Sequence, residues 1–469
     1  NGAGCQFPLR DALALIVMIG IPARQNLHCT FKHSVFGSKM QQLEDRNAVR
    51  DHSNHIQISR EETVAGLLEA CHFTPRIEMV RLDQAFGRVL AKDVTARCTM
   101  PNVLTCRMDS IAVRWADFEN GIPDTSSWVR SRNWQFANTG TAMPEGFDTA
   151  IVIEHVSVSA DEQHVKVHAA PSAQFAGTSA VGSKMKRGDI LAQAGDTITP
   201  DVAARIASGN IASVAVYAKP RIAFIPTGNE LVPAGSAEVP LGKNVESNSL
   251  VVRGKVEAWG GEFMPFDIVP DNPQLIIEAV KSACACADIV VLNAGSSKGS
   301  EDWSVEQLEE IGTIICHQTN HGPGHHSSAA VVDGTPVVGI SGPPFGASFT
   351  LGFYLLPLMN LFLGQSPEPR KIPVRLTKAF PAAGPMSGYS AGKVYAGEER
   401  PPEAVDGTQF FSVRMLDVNL TDEGALEATP VPGRPGSAAT LSANALFMLE
   451  SGLNAPKPEA GDIIWAELR

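Results

Sequence analysis

Acidic residues recur in this sequence at positions where a divalent cation and a small anionic ligand can meet. Glu230 lies in the segment 227–231 (Thr-Gly-Asn-Glu-Leu), Asp271 in 270–272 (Pro-Asp-Asn), and Asp302 closes 293–302 (Asn-Ala-Gly-Ser-Ser-Lys-Gly-Ser-Glu-Asp). Carboxylates are hard oxygen ligands, and a cluster of them holds Mg²⁺ against the phosphate or oxyanion groups of a substrate. The 293–302 segment runs toward a helix start, where free amides and the helix dipole favour a phosphate. Gly295, Ser296, Ser297 and Gly299 let a backbone approach such a group closely, and Lys298 adds a counter-charge. The acids also have a plainer reading. Asp271 precedes an N-cap and Asp302 lies near a helix start, so either can simply stabilise a helix.

Two further groups invite a chemical reading. His317, His321, His325 and His326 fall within ten residues. Three roles stand open for them: contact with phosphate or an oxyanion, transition-metal binding, or a plain surface loop. Cys284 and Cys286 form a CxC pair, but inside an apolar helical pattern, where packing is the first explanation.

The elements that must position these residues are legible. Arg221 opens a buried strand, 221–225, followed by a helix over 249–259 that Gly260 and Gly261 stop. A strand is expected over 263–269, then a helix capped by Asn272 with Pro273 at its first position, where a missing N–H costs nothing. Residues 289–292 form a continuous apolar run of the kind found in parallel sheets covered on both faces. A short helix (304–311), two strands (313–316 and 335–340) and a long apolar helix (347–363) complete the pattern. This is a doubly wound α/β domain, and its ligands belong at the carboxyl ends of the strands. The segments 227–231, 270–272 and 293–302 all follow strands, as does 339–346 (Gly-Ile-Ser-Gly-Pro-Pro-Phe-Gly).

On the amino-terminal side, Ser59 precedes Glu62 at capping-box spacing, ahead of a helical pattern of apolar residues. Strands are expected over 150–154 and 165–169, turn-rich β structure over 188–199, and a helix over 201–209 opened by Pro200. After a linker at 365–369, only strand signals remain (374–376, 410–416, 446–449 and 463–468), so a small β-barrel or sandwich is expected. The first 57 residues show no clear period and are set apart as an extension of unknown role.

A chain of 469 residues calls for several domains, and its 44% hydrophobic and 19% charged residues suit packed ones. A net charge of −12 argues against a nucleic-acid surface, which needs clustered Lys and Arg, but leaves room for a small anion in a local pocket. Eight scattered cysteines do not make a disulfide framework, and a reducing cytoplasm fits them best. No run approaches the roughly 20 apolar residues of a membrane span.

At these residues the chain resembles the molybdopterin molybdenumtransferase family, which includes the carboxyl-terminal domain of gephyrin. The resemblance spans about 58–469 and rests on the number and order of its motifs. They are 106–113 (Cys-Arg-Met-Asp-Ser-Ile-Ala-Val), 139–146 (Thr-Gly-Thr-Ala-Met-Pro-Glu-Gly) leading to 151–154, and 182–189 (Gly-Ser-Lys-Met-Lys-Arg-Gly-Asp). The segments 227–231, 246–248 (Glu-Ser-Asn), 293–302 and 339–344 follow.

The resemblance implies a linking domain of split segments (58–100 and 190–220), a β-rich lobe (101–189), an α/β molybdopterin-binding domain (221–366) and a carboxyl-terminal β-barrel (367–469). It implies a cytoplasmic homodimer whose site lies between the α/β domain of one subunit and the β-rich lobe of the other. The implied reaction takes adenylylated molybdopterin and molybdate with Mg²⁺ and releases AMP and molybdenum cofactor. Molybdoenzymes or cofactor carriers are the implied recipients. Catalytic roles are implied for Asp109, Glu230, Asp271 and Asp302, the last three as metal ligands. Ligand contacts are implied for Thr139, Gly140, Thr227, Gly228, Asn248, Gly295, Ser296, Ser297, Lys298, Gly299, His325, His326 and Pro344.

The departures from the family pattern are equally specific. Ser110-Ile111 replaces Gly-Tyr, Lys184 an acid, Ser179 an arginine, and Asn293-Ala294-Gly295 replaces Ser-Gly-Gly. The segment 322–326 (Gly-Pro-Gly-His-His) loses both lysines of Lys-Pro-Gly-Lys-Pro, while Ser341 and Pro343 replace a proline and an asparagine. These changes set a second reading beside the enzyme: a carrier or scaffold that binds molybdopterin or the cofactor without turnover.

Overall fold

The computed structural model describes residues 58–469 apart from 72, 294–303, 318, 325–326, 382–409, 434, 436 and 452–456. The expected extension over residues 1–57 lies outside the described residues. The chain divides into two compact units: Ile77–Tyr217, and Ala218–Arg469 with the segment that ends at Arg76.

In the larger unit, six strands form one sheet in the order Glu262–Pro265, Arg221–Pro226, Ile289–Asn293, Thr335–Ile340, Ser328–Val332, Thr313–His317. The first four run parallel, and Ser328–Val332 runs antiparallel to both its neighbours. Side chains alternate between faces with the two-residue strand period. Ile222, Phe224, Ile289 and Val291 enter one core, whereas Ala223, Ile225, Val290 and Leu292 enter the other. The first core is covered by Asn248–Ala258 through Val252 and Val256, by Pro344–Phe362, and by Leu67 of Arg60–Ala70. The second is covered by Pro273–Cys286 through Ile276, Val280 and Ala283, and by Ser304–Ile311 through Val305 and Leu308. Helices on both faces of a mainly parallel sheet make the doubly wound architecture expected from the apolar runs.

Local signals explain the helix starts. Ser59 and Glu62 form the reciprocal capping box, and the Asn272 side chain accepts the Leu275 N–H with Pro273 at the first position. The helix Arg60–Ala70, grouped by sequence with residues 58–100, contributes Leu67 to the α/β core, and Cys71 just past its end joins it. The strand expected over 263–269 stops at Pro265, and the chain rejoins the sheet only at a Thr227–Val269 bridge. The long helix starts at Pro344 and contains a π-helical stretch, Leu351–Leu355. Its span Pro344–Phe362 corrects the expectation of no membrane-length run: by length and composition it qualifies. Its Leu351, Leu355, Leu358 and Met359 are fully buried in the protein core, which accounts for the composition.

The carboxyl-terminal strands Phe410–Leu420, Leu426–Pro430, Lys371–Leu376, Ile463–Leu468 and Ala445–Ser451 pair in that order. The last also pairs with the first, closing a five-stranded barrel around Leu416, Ala428, Ala445 and Ala466. The barrel is tied to the first helix by a buried ion pair, in which Arg60 Nη1 lies 3.0 and 2.8 Å from the two Glu467 carboxylate oxygens.

In the smaller unit, Ile77–Arg81 pairs antiparallel with Ser213–Tyr217, and Pro200–Ser208 packs Ile206 against Leu82, Leu90, Ile198 and Val214. A separate three-stranded sheet has Ser110–Val113 at its centre, between Gln135–Ala137 and Thr149–Val152, over a core containing Ile111, Trp128 and Trp134.

Candidate functional site

Three strand ends of the α/β sheet meet at one buried polar node. Thr227, which follows Arg221–Pro226, donates to the Asn293 carbonyl from its N–H at 3.1 Å and from its hydroxyl at 2.9 Å. Asn248, the first residue of its helix, donates from Nδ2 to Asn293 Oδ1 at 3.0 Å and to the Gly342 carbonyl at 2.8 Å. Asn293 closes the strand Ile289–Asn293, and Gly342 follows Thr335–Ile340. Thr227, Asn248 and Asn293 are all buried, and Asn248 Oδ1 has no hydrogen-bond partner among the described residues. A buried acceptor without a donor is costly, so this atom marks a place where something else belongs.

Beside the node, Asp271 is tied to the 227–231 loop. Its Oδ2 accepts the Asn229 N–H at 2.7 Å, and Asn229 Oδ1 accepts the Asp271 N–H at 3.2 Å. Lys243, which the sequence reading did not single out, donates from Nζ to the Asn229 carbonyl. Gly228 has φ +144°, a conformation that favours glycine, and the Glu230 carboxylate folds back over it, with Oε2 2.4 Å from where a Cβ would lie. Glu230 and Asp271 are thus carried by neighbouring loops. Asp302, Gly295, Ser296, Ser297, Lys298 and Gly299 lie outside the described residues. Among the described residues no group of three or more His, Cys, Asp or Glu forms a metal cage. Pro344 is exposed at the start of its helix.

The smaller unit joins three more of the expected residues. Asp109 Oδ1 accepts the Thr139 N–H at 2.9 Å and the Thr139 hydroxyl at 3.0 Å. Gly140, at φ +77°, donates its own N–H to the Cys106 carbonyl. The Thr139 N–H, then its hydroxyl, hold the Asp109 carboxyl below its ordinary range. A carboxyl lowered in the fold contributes stability above its unfolded pKa, and that contribution is lost as pH falls through the folded value. Thr139→Val removes one of the two donors. The Asp109 midpoint, followed by carbon NMR, is expected to rise toward the ordinary value near 3.9. An unmoved midpoint would show that the hydroxyl contributes nothing.

The histidine segment divides. His321 is fully buried, with Nε2 2.7 Å from the Tyr354 hydroxyl and Nδ1 3.2 Å from the Pro323 carbonyl. It stacks on Tyr354 and meets Phe353 edge-on, so His321 is a core group and takes none of the three roles left open for the histidines. His317 is half-buried at the end of Thr313–His317. His325 and His326 lie outside the described residues. Cys284 and Cys286 are free thiols, and burial pushes Cys284 up to about 12, away from the thiolate a metal needs. Among the described residues six other buried side-chain atoms lack a hydrogen-bond partner, two of them, Arg414 Nε and Ser437 Oγ, in the barrel domain. Burial also holds Arg414 below the ordinary guanidinium range. Neither residue carries a local sequence signal, since a missing partner is visible only in three dimensions.

Comparison with known proteins agrees with this architecture. Residues 58–209 match the family described as MoeA N-terminal region (domain I and II), and residues 223–360 match the probable molybdopterin binding domain. The molybdopterin molybdenumtransferase of Bacillus subtilis is 26% identical over 407 residues, covering 81% of this chain and 88% of its own. That of Haemophilus influenzae is 26% identical over 311 residues, covering 64% of this chain and 76% of its own. A crystal structure of the molybdopterin biosynthesis MoeA protein from Pyrococcus horikoshii shares the fold, with TM-score 0.63 and 21% identity over 88% of this chain and all 100% of the other. With two successive family domains in order and relatives aligned through most of their length, this chain belongs to the molybdopterin molybdenumtransferase family.

Proposed function

We propose that this protein transfers molybdate into adenylylated molybdopterin and releases AMP. The observation that carries the proposal is the convergence of Thr227, Asn248, Asn293, Glu230 and Asp271 on the carboxyl ends of the parallel strands, where α/β sheets bind ligands. The oxygen-only donors Glu230 and Asp271, on neighbouring loops, suit Mg²⁺ in kind, and Asp302 would complete the set. Bound there, Mg²⁺ would neutralise phosphate charge. The chain's own part is positioning: backbone amides and small residues seat the phosphate, and no covalent nucleophile is called for. We also propose a homodimer working in the cytoplasm. The exposed Ile77, Met79 and Phe86 offer apolar surface for self-association, and the six described thiols are free, as a reducing compartment requires.

A carrier that binds molybdopterin without turnover is the second reading. It is favoured by the burial of His321, which cannot replace a lost lysine from inside the core. A single-turnover assay with adenylylated molybdopterin, Mg²⁺ and molybdate separates the two. Molybdate-dependent AMP release that disappears in Asp302→Asn is the expected result. Tight binding without AMP release would leave the carrier, and no binding would overturn both.

A further inference from the structure

Asn248 has an amide whose orientation the fold dictates. Its Nδ2 has two N–H groups, and both are taken, by Asn293 Oδ1 at 3.0 Å and the Gly342 carbonyl at 2.8 Å. Turning the amide over would set Oδ1 against two acceptors, so the observed orientation is the one that satisfies the node. Oδ1 is therefore held in place as an acceptor. Asn248 is only 3% exposed, and no donor among the described residues reaches that oxygen. The neighbouring polar groups are already engaged: the Thr227 hydroxyl donates to the Asn293 carbonyl, and Glu246 Oε1 accepts the Ser249 N–H.

We infer that Asn248 is a specificity-determining residue that selects a hydrogen-bond donor on the ligand, the amino-pyrimidine edge of a fused heterocycle. This rests on the molybdopterin reading proposed above and sharpens it. A phosphodiester and molybdate present only acceptors at neutral pH, and their oxygens would repel Oδ1. A pterin carries a 2-amino group on one edge, and that amino group is the donor assigned to an acceptor fixed in this way. The node thus belongs to the heterocycle, and the phosphate belongs to the loops beside it. The discrimination is of the strong kind, because a ligand without the donor leaves a buried oxygen unpaired.

The test is calorimetric titration of the full chain with three probes: pterin, lumazine (whose 2-oxo group replaces the amino group) and AMP. The wild type is expected to bind pterin at least about tenfold more tightly than lumazine. In Asn248→Ala that ratio is expected to fall to near one while the affinity for AMP is kept. Equal binding of pterin and lumazine by the wild type would overturn the assignment of Asn248 and leave the molybdopterin reading standing. A wild type that binds neither pteridine would overturn that reading as well. A ratio that persists in Asn248→Ala, or a parallel loss of AMP binding, would show that the residue only holds the loops together. If Asn248→Ala fails to fold, Asn248→Ser takes its place with the same expected fall in the ratio, and equal wild-type binding overturns the assignment on its own.

Discussion

Replacing Glu467 by Ala is expected to destabilise the larger unit by about 3–5 kcal/mol, the usual cost of leaving one partner of a buried ion pair uncompensated. Arg60 and Glu467 are each 6% exposed, and a single guanidinium nitrogen reaches both carboxylate oxygens. Lys371 lies 3.6 Å from the same carboxylate and is half-exposed, so water solvates it when the carboxylate is lost, as it cannot solvate Arg60. The Arg60 guanidinium also lies over the Phe353 ring, 4.4 Å from its centroid, so the stranded cation would remain within an apolar wall. The double replacement Arg60→Met with Glu467→Leu is expected to recover most of the loss, because well-packed apolar pairs often match or exceed a buried ion pair. Urea unfolding followed by tryptophan fluorescence measures both. A single-variant cost below about 1 kcal/mol would mean that water reaches the pair and that it ties the first helix to the barrel only weakly.

The second large effect concerns the carboxylates at the strand ends. Asp271→Asn and Glu230→Gln are each expected to lower molybdate-dependent AMP release by about 100-fold or more, the scale on which preorganised charged groups act. Asp271 needs a control because it also accepts the Asn229 N–H, so its loss could act by loosening the 227–231 loop. The two routes respond differently to Mg²⁺. If the carboxylate holds the cation, raising Mg²⁺ restores part of the rate in Asp271→Asn, whereas a loosened loop gives a deficit that Mg²⁺ does not relieve. Rates within about threefold of wild type for both variants would remove these acids from the reaction.

What could be foreseen in these residues was local, and what could not was long-range. The strand Ile289–Asn293 announced itself as an unbroken apolar run, and Asn272 with Pro273 marked a helix start, because each signal lies within a few residues. The hairpin that adds Ser328–Val332 carried a legible turn as well. Asp333 and Gly334 both take positive φ between Val332 and Thr335, an Asp-Gly signature between apolar segments that the strand assignment passed over. The node at Asn248 joins residues 45 and 94 positions apart, and the His321–Tyr354 pair spans 33. Nothing near His321 in sequence distinguishes a core histidine from a ligand contact; only its aromatic neighbours in space do. Asp109 and Thr139 were matched through motif order, and the reason they act together is a hydrogen bond across 30 residues.

The π-helical stretch Leu351–Leu355 sets the phase of the long helix. Each residue of an α-helix turns the chain by about 100°, and a wide turn accommodates one residue more than an α-helical turn. The two halves, Pro344–Thr350 and Leu356–Phe362, are offset by about that angle from where an unbroken α-helix would put them. With this offset Ala347, Phe349, Phe353, Tyr354 and Met359 all reach one core cluster while Pro344 stays exposed beside the strand ends. Losing a single residue here would leave the composition of the core almost unchanged yet wind the Pro344 end around the helix axis, pulling on the Gly342 carbonyl that Asn248 requires. In this helix the residue count carries information that composition does not: a one-residue deletion is expected to shift the Pro344 end at the candidate ligand crevice.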